Sequence, residues 1–419
     1  MLGLIATMAL LLVVACGDDD DTSSGGDEQA AGGGADNGGT VPNDCTGEPI
    51  LLGFDVNMSA TNAATYENVV DAAQAAVQAE NEECVQGRPL ELLPCDQRND
   101  VNATADCARK AVEEGVVAQV ASIPGFGDTM MPIYSEAGIP VFGNTANSSE
   151  LLQDPLSYPT FNVTPTVLAM ASGAHAAGAE NAVFVTIESG STFFVELANR
   201  QMEDLGLESE GVVLIPATAQ DVSVYAGQIV SSGADAIITA LGDDLTENLL
   251  KNLQQQGVDV QDTQFWAGGA IITQRFVDEY DGDLEGVFTT GPFWVGGDTS
   301  NEGIAQMHEE LDAAGYDTEG IIDWATNAWH NIHVIADVMR DLDTIDPASL
   351  IAAFDSMGLV ERPEAAPYDF SQPAFPDHPV MGQMRIFGRE HYMARVVDGE
   401  IVPLLDHFVD PMEPFELDL

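Results

Sequence analysis

Short apolar runs alternate along the chain with longer segments in which apolar residues recur at helical spacing. Three of these runs are typical of strands buried in a parallel sheet: 49–55, 89–96 and 116–122. The segments between them, 63–83 and 101–114, are rich in alanine and predict helices. The same alternation begins again at Val167 and continues to Gly291. The pattern predicts an α/β protein with two doubly wound, Rossmann-like lobes, each with a mainly parallel sheet.

The last third of the chain continues this pattern with helices predicted at 301–314 and 321–341, followed by short strands near 384–387 and 392–397. Ligands of doubly wound sheets bind beyond the carboxyl ends of the strands. A protein with two such lobes has its natural binding site in the cleft between them.

The first forty residues have a different pattern. An apolar run of about fourteen residues ends at Cys16, whereas about twenty are needed to span a bilayer. Residues 1–15 therefore predict a signal peptide, although the first basic residue is Arg88. The sequence Val13–Cys16 resembles the bacterial lipobox, in which the cysteine is lipidated. Residues 16–44 are acidic and glycine-rich, which predicts a flexible linker. We expect the folded part to be lipid-anchored at the extracytoplasmic face of the cell membrane, in the periplasm or at the cell surface.

Charge excludes one class of partner. The chain has 12 Lys and Arg against 69 Asp and Glu, a net charge of −57. Such a field repels phosphate backbones, so we expect no nucleic-acid binding. The acidic residues are spread over the whole chain, which favours a solvated surface over steering of a cationic ligand.

The roughly 375 residues after the linker are enough for two cores, and hydrophobic residues make up 45% of the chain.

Four cysteines remain after Cys16. An even number in an oxidising compartment predicts two disulfides, and three pairings are possible for Cys45, Cys84, Cys95 and Cys107. We favour Cys95–Cys107, which would connect the end of a strand to the following helix, and this leaves Cys45–Cys84. No C-x-x-C pair is present, which argues against a zinc site.

Several segments, in this order, resemble type 1 periplasmic binding proteins of the branched-chain amino acid and amide group. They are Gly53–Ser59, 87–96, 103–117, 135–142 (SEAGIPVF), 161–165 (FNVTP), the alanine-rich segment 325–336 and 396–402 (VVDGEIV). The resemblance covers nearly all of 45–419. It implies two lobes joined by a hinge with three crossings, the periplasmic binding protein-like I fold. Lobe 1 would be 45–165 plus 294–365, and lobe 2 would be 166–293 plus 366–419.

The resemblance also implies a ligand site. In this family, backbone amides and hydroxyls of the first lobe bind the ligand carboxylate, and loops at helix N-termini supply such donors. The residues at matching places in the first lobe are Met58, Ser59, Thr61, Gly125, Phe126, Thr145, Ala146 and Asn147. Those in the second lobe are Glu188, Phe193, Asp243, Asp244 and Gly269.

This chain departs from the family at places that concern the ligand. Gly269 stands where leucine-type proteins carry an acid for the ligand ammonium, and Pro124 replaces a hydroxyl. A plain branched-chain amino acid is therefore not assured as ligand. Glu188, Asp243 or Asp244 are candidates for the missing charge, and each is also compatible with an ordinary surface carboxylate.

Catalytic motifs are not found in the sequence. It has neither a G-x-S-x-G elbow nor an H-E-x-x-H motif, so we expect no enzyme and no cofactor. His330, His333 and Asp337 share a helical face, but partnered or solvated histidines are commoner than a metal site, and we predict no metal.

The resemblance implies a monomeric solute-binding lipoprotein of an ABC importer. It would capture an amino acid or related amide or carboxylate between the lobes and deliver it to the membrane permease. The alternative is a sensor of the same fold that signals to a membrane receptor; a hydrolase with an unfamiliar site is a third, weaker hypothesis.

Overall fold

The computed structural model describes residues 45–59, 66–188, 193–216, 219–280, 284–378, 381–417 and 419. The predicted signal peptide, the lipidation site Cys16 and the linker to residue 44 lie outside the described residues, as does Thr61. Among the described residues, no helix has the length and apolar character needed to cross a bilayer.

The first part of the described chain contains seven strands and four helices. The strands are β1 (Ile50–Val56), β2 (Leu90–Asp96), β3 (Ala118–Val120), β4 (Val141–Phe142), β5 (Thr145–Ala146), β6 (Ser157–Tyr158) and β7 (Phe161–Asn162). The helices are α1 (Glu67–Glu83), α2 (Val101–Glu114), α3 (Gly127–Ala137) and α4 (Ser149–Gln153). Five of these strands form a parallel sheet in the order β2-β1-β3-β4-β6, and β5 pairs with β7.

Local sequence explains the helix ends. The side chain of Asp100 caps α2 by accepting hydrogen bonds from the N–H groups of Asn102 and Ala103, at 3.0 and 2.8 Å. The helix ends at Gly115, which has the left-handed φ of 78° that glycine adopts without strain. The predicted bounds of this helix are confirmed, and Gly138 ends α3 in the same way.

The second part of the described chain forms a larger sheet. Its strands are β8 (Asn181–Ile187), β9 (Glu208–Ile215), β10 (Ala236–Ala240), β11 (Gln264–Gly268), β12 (Phe288–Gly291), and later β15 (Tyr392–Val397) and β16 (Glu400–Pro403). The helices between the first five are α5 (Val163–Ala176), α6 (Phe193–Leu205), α7 (Ser223–Ser232), α8 (Asp243–Gln255) and α9 (Gln274–Glu279). The order is β16-β15-β12-β11-β10-β8-β9, parallel except for the last hairpin, β15 and β16.

Between β12 and β15 the chain leaves the larger sheet and returns to the first sheet. The elements of this return are α10 (Glu302–Ala314), α11 (Asp323–Arg340), α12 (Pro347–Ser356), β13 (Leu359–Arg362) and β14 (Ala365–Asp369). Both α10 and α11 pack on α1, and α11 contributes to the core under the first sheet. The α/β architecture with two doubly wound lobes is thereby confirmed. Helices α4 and α12 and the β13–β14 hairpin were not anticipated from the sequence.

The segment after β14 was expected in the second lobe. Its residues Phe375, Met381 and Ile386 belong to an apolar cluster made mostly of side chains from the first part of the chain, with Leu168 and Leu197 from the second. Arg385 donates from its backbone N–H to the carbonyl of Leu152 at 2.7 Å and lies over the ring of Tyr158. Residues 384–386 are also irregular rather than the predicted strand.

Two disulfides join the described cysteines. Cys45 pairs with Cys84, with Cα atoms 5.7 Å apart, and Cys95 pairs with Cys107, with Cα atoms 5.6 Å apart. The favoured pairing is confirmed. The first bond ties the segment before β1 to the end of α1, and the second ties β2 to α2.

Candidate functional site

The first predicted ligand loop follows β1, and its donors are already used. The N–H groups of Met58 and Ser59 donate to Oδ1 of Asp96 at 2.9 and 3.2 Å, and the Ser59 hydroxyl donates to Oδ2. Burial alone would raise the pKa of Asp96, but the hydrogen bonds from Ser59 and Met58 lower it below its usual value. In this conformation Asp96 occupies the donors that were predicted to meet a ligand carboxylate.

The second predicted loop leads into α3. Gly125 is exposed and tightly packed on one side, since a Cβ built there would lie 2.6 Å from Oδ1 of Asn99. Phe126 is half-buried and is the N-cap residue of α3. Asn147, from the third predicted loop, donates to the carbonyl of Pro124 at 3.0 Å. This hydrogen bond places the second and third loops next to each other.

The third loop carries an unused hydroxyl. Thr145 is 1% exposed, its N–H donates to the carbonyl of Ser122 at 2.9 Å, and its Oγ1 has no partner among the described residues. Ala146 is buried beside it. The Oγ of Ser122 is also buried without a partner in the described part of the chain. Ser122 was not predicted, although its position at the end of the third strand was a usable signal.

The second-lobe candidates sit at strand and helix ends. Glu188 follows β8, is exposed, and donates its N–H to the carbonyl of Ile215 at 2.7 Å. Phe193 and Asp243 begin α6 and α8, and their side chains lie outside the described part. Asp244 is exposed in the first turn of α8. Neither Glu188 nor Asp244 is buried, and neither lines the cavity of about 1240 Å³ between the two parts of the fold.

Gly269 lies beside an acid that the sequence did not indicate. Its N–H donates to the carbonyl of Thr290 at 2.9 Å, and a Cβ built on it would lie 2.6 and 2.7 Å from the two carboxylate oxygens of Asp323. Asp323 is the first residue of α11 and is 3% exposed. It approaches the second-lobe strand ends from the first-lobe side. The next residue, Trp324, packs edge-on against Tyr66 with ring centroids 5.0 Å apart.

A cavity with a volume of about 1240 Å³ lies between the two parts of the fold. One wall is formed by 294–301 and 320–323, and the other by 269–278 and 392–406. Of the predicted ligand residues that the structure describes, Gly269 alone lines it.

The two histidines of α11 are fully hydrogen-bonded. His330 contacts Glu364 through Nδ1 at 2.6 Å and the Tyr368 hydroxyl through Nε2 at 2.9 Å. His333 contacts Glu80 through Nδ1 and Glu310 through Nε2, the latter at 2.9 Å. Both ring nitrogens of each histidine are thus occupied by protein groups, which leaves no lone pair for a metal ion.

Asp55, Cys95 and Cys107 also lie close enough together to suggest metal ligands. Both cysteines are in a disulfide, so neither offers a thiolate. The Asp55 carboxyl is fully buried and accepts a hydrogen bond from the Tyr134 hydroxyl at 2.8 Å. Burial raises the pKa of Asp55 to about 7, although the hydrogen bond from Tyr134 acts to lower it.

Solved structures of similar fold are numerous. A possible leucine/isoleucine/valine-binding protein from Rhodopirellula baltica has a TM-score of 0.71 and 14% identity, covering 88% of this chain and 98% of its own. A solute-binding protein of R. palustris in complex with 4-hydroxybenzoate has a TM-score of 0.71 and 19% identity, with the same coverages. A fatty acid ABC transporter substrate-binding protein from Thermomonospora curvata has a TM-score of 0.71 and 15% identity, covering 87% and 92%.

Because the identities are low, these structural similarities establish the fold alone. No curated protein matches the chain significantly in sequence. A family profile does match: residues 49–389, most of the chain, fit the family described as periplasmic binding protein. With its two doubly wound lobes of type 1 topology, the chain belongs to the periplasmic binding protein family.

Proposed function

We propose that this protein is a monomeric, lipid-anchored solute-binding protein of an ABC importer, which carries an amino acid or a related amide or carboxylate to the permease. Membership of the family implies an extracytoplasmic location and a binding role without catalysis. Family membership does not by itself imply the lipid anchor at Cys16 or the importer role. The sequence around Cys16 supports the anchor, and the fold of the ABC transporter proteins described above supports the importer role.

The observation that carries the proposal is the buried, unpartnered hydroxyl of Thr145 at the edge where the parallel strands of the first lobe end. A buried hydroxyl without a partner is unfavourable, so native proteins seldom keep one without a reason. The neighbouring hydroxyl of Ser122 is in the same state. A ligand carboxylate that accepts hydrogen bonds from this wall would satisfy both groups.

The ligands of the relatives are compatible with such a wall. One relative binds 4-hydroxybenzoate and another is described as a fatty acid-binding protein. These ligands share a carboxylate with amino acids, while their remaining parts differ. We therefore propose that the first lobe binds a carboxylate and that other contacts select the rest of the ligand.

Binding would close the two lobes by a hinge movement, after which the permease recognises the closed form. We propose a first lobe of 45–162 with 292–387 and a second lobe of 163–291 with 391–419. The side-chain packing of Phe375 and Ile386 supports the change from the boundaries expected from sequence. In an open form, Ser59 would be held by Asp96 until a ligand carboxylate competes for its donors.

The test is Thr145→Val in the full chain, with binding measured by calorimetry and by thermal shift over amino acids, amides, 4-hydroxybenzoate and fatty acids. A hydrogen bond to a charged group contributes about 1.5–3 kcal/mol, so we expect at least about tenfold weaker binding of the ligand. The melting temperature without ligand should not fall, because the hydroxyl that is removed has no protein partner in the described residues.

The matched control is Thr246→Val, which removes another buried hydroxyl without a partner among the described residues, in α8 beside the larger sheet. It should bind like wild type. Equal affinity of Thr145→Val and wild type would show that this wall does not bind the ligand. Folded wild-type protein that binds nothing in the panel would contradict the proposed ligand class.

A further inference from the structure

Asp323 is buried at the junction of the two lobes. Its helix, α11, packs in the first lobe, whereas its carboxylate lies against Gly269, Gly291 and Tyr392 at strand ends of the second. A Cβ on Gly291 would overlap with Oδ2 of Asp323, and one on Gly269 would crowd both oxygens. The two glycines therefore make the space that the carboxylate occupies.

This carboxylate is not balanced by any described group. The Tyr392 hydroxyl donates to Oδ1 over a long 3.4 Å, and Oδ2 has no hydrogen-bond partner among the described residues. Arg275, the basic residue that lies against Gly320 on the cavity wall, is directed to Glu279 at 3.6 Å. Burial raises the pKa of Asp323 well above its usual range, although the hydrogen bond from Tyr392 acts to lower it. The site lacks a positive charge.

The carboxylate can be reached from the cavity between the lobes. Asp323, Gly269 and Tyr392 all line that space of about 1240 Å³. The other charged side chains on its described walls are acidic: Asp278, Asp298, Asp398, Glu400 and Asp406. No Lys, Arg or His lines it in the described part of the chain. The potential in the cavity is therefore negative, which attracts a cationic group.

We propose that Asp323 binds the protonated amine of the ligand. The inference rests on the proposed function and narrows it to ligands that carry an ammonium group. An ammonium donates up to three hydrogen bonds, so it would satisfy Oδ2 and supply the missing charge in one contact. Because the acid comes from the first-lobe helix and the glycines from the second lobe, the same contact would hold the lobes together. Asp323 would then bind the ammonium group in place of an acid at position 269, where glycine has no side chain.

The experiment uses the full chain and pairs of probes that differ in the amine alone: L-leucine with 4-methylpentanoate, and L-phenylalanine with 3-phenylpropanoate. Affinities are measured by calorimetry for wild type and Asp323→Asn. We expect wild type to bind the amine-bearing member of a pair at least about tenfold more tightly, and Asp323→Asn to lose that preference. The affinity for the deaminated member should change little.

Asp55→Asn is the matched control, because Asp55 is an equally buried carboxyl with an unpartnered oxygen that lies in β1 and does not line the cavity. It should keep the preference for amines. If Asp323→Asn does not fold, Gly269→Ala replaces it, because its methyl group would overlap with the Tyr392 hydroxyl and crowd both oxygens of the Asp323 carboxylate.

The outcomes separate the inference from the proposed function. Binding of both members of a pair with equal affinity, or an unchanged preference in the folded Asp323 variant, would overturn the ammonium site and leave the carboxylate-binding function standing. No binding of any carboxylate by folded wild type would contradict both.

Discussion

At the scale of single residues, His333 shows how burial and charge combine in this protein. Its side chain is 8% exposed and lies between Glu80 and Glu310. Burial acts to lower its pKa, but hydrogen bonds and charge from Glu310 and Glu80 outweigh this and raise it to about 9. Arg340 adds a second positive charge next to Glu80. The imidazolium thus links α1, α10 and α11 under the first sheet.

A pH dependence follows from this cluster. The folded pKa of His333 is about 9 and exceeds the unfolded value of 6.5, so its stabilisation is complete below 6.5 and is lost as pH rises through 9. We expect the free energy of unfolding of wild type to fall by up to about 3 kcal/mol between these pH values. His333→Gln should be less stable at neutral pH by about the same amount, because the buried Glu80 and the half-buried Glu310 lose their shared cation.

Urea unfolding at several pH values from neutral to about 9.5 checks this. His407→Gln is the control, since the His407 side chain is 63% exposed and its pairing with Asp406 should contribute little. If the His333 variant lost stability with rising pH as steeply as wild type, the loss at alkaline pH would come from another group.

The buried aspartates show the opposite arrangement. Asp55 and Asp323 each retain an oxygen without a described partner, and burial raises the pKa of both. Neither position is distinguished in the sequence, where Asp55 ends an apolar run and Asp323 lies near the start of a predicted helix. Local pattern does not report what a side chain faces after folding.

At the scale of elements, the sequence was most informative where structure depends on neighbours along the chain. The predicted bounds of α2 are confirmed, and its capping aspartate and terminal glycine explain them. Short elements were missed. The two-residue strands, the five-residue α4 and the hairpin β13–β14 form because other elements pair with or cover them, and their local signals are weak.

The disulfides allow a prediction at this scale. Cys95 and Cys107 close a loop with a sequence separation of 12, and Cys45 and Cys84 one with a separation of 39. Chain entropy predicts losses of about 3 kcal/mol for the first pair and about 4 kcal/mol for the second when each pair is replaced by alanine. Guanidinium unfolding of the two double variants measures the difference.

Reductant provides the control for this prediction. It should lower the stability of wild type and leave a variant without either disulfide unchanged. A larger loss from Cys95→Ala with Cys107→Ala than from the longer loop would mean that local packing, and not loop closure, dominates the stabilisation.

At the scale of the whole molecule, charge is the dominant property. A net charge of −57 on 419 residues destabilises a compact state by self-repulsion, and the few basic residues offset little of it. Several are already paired, as Arg340 and Arg362 are with Asp337. Dissolved cations therefore have to supply the remaining screening.

Salt should stabilise the protein for this reason. Raising NaCl from about 0.1 M to about 1 M shortens the Debye length from about 10 Å to about 3 Å, and we expect the melting temperature to rise by several degrees. Scanning calorimetry over this range checks it. The rise should be steepest at low salt and then level off, as screening does. A melting temperature that stays constant or falls would show that the carboxylates are already far enough apart or compensated.

The sequence by itself determined the features that follow from local pattern and composition: the alternation of strands and helices, two lobes, two disulfides and an acidic surface. It could not show that Phe375 and Ile386 join an apolar cluster made mostly of side chains from the first part of the chain. It also could not bring Asp323 to Gly269, because these residues are distant in the chain and belong to different lobes. Only the tertiary structure decided that contact, since the sheet order and the passages between the lobes fix which strand end meets the start of α11.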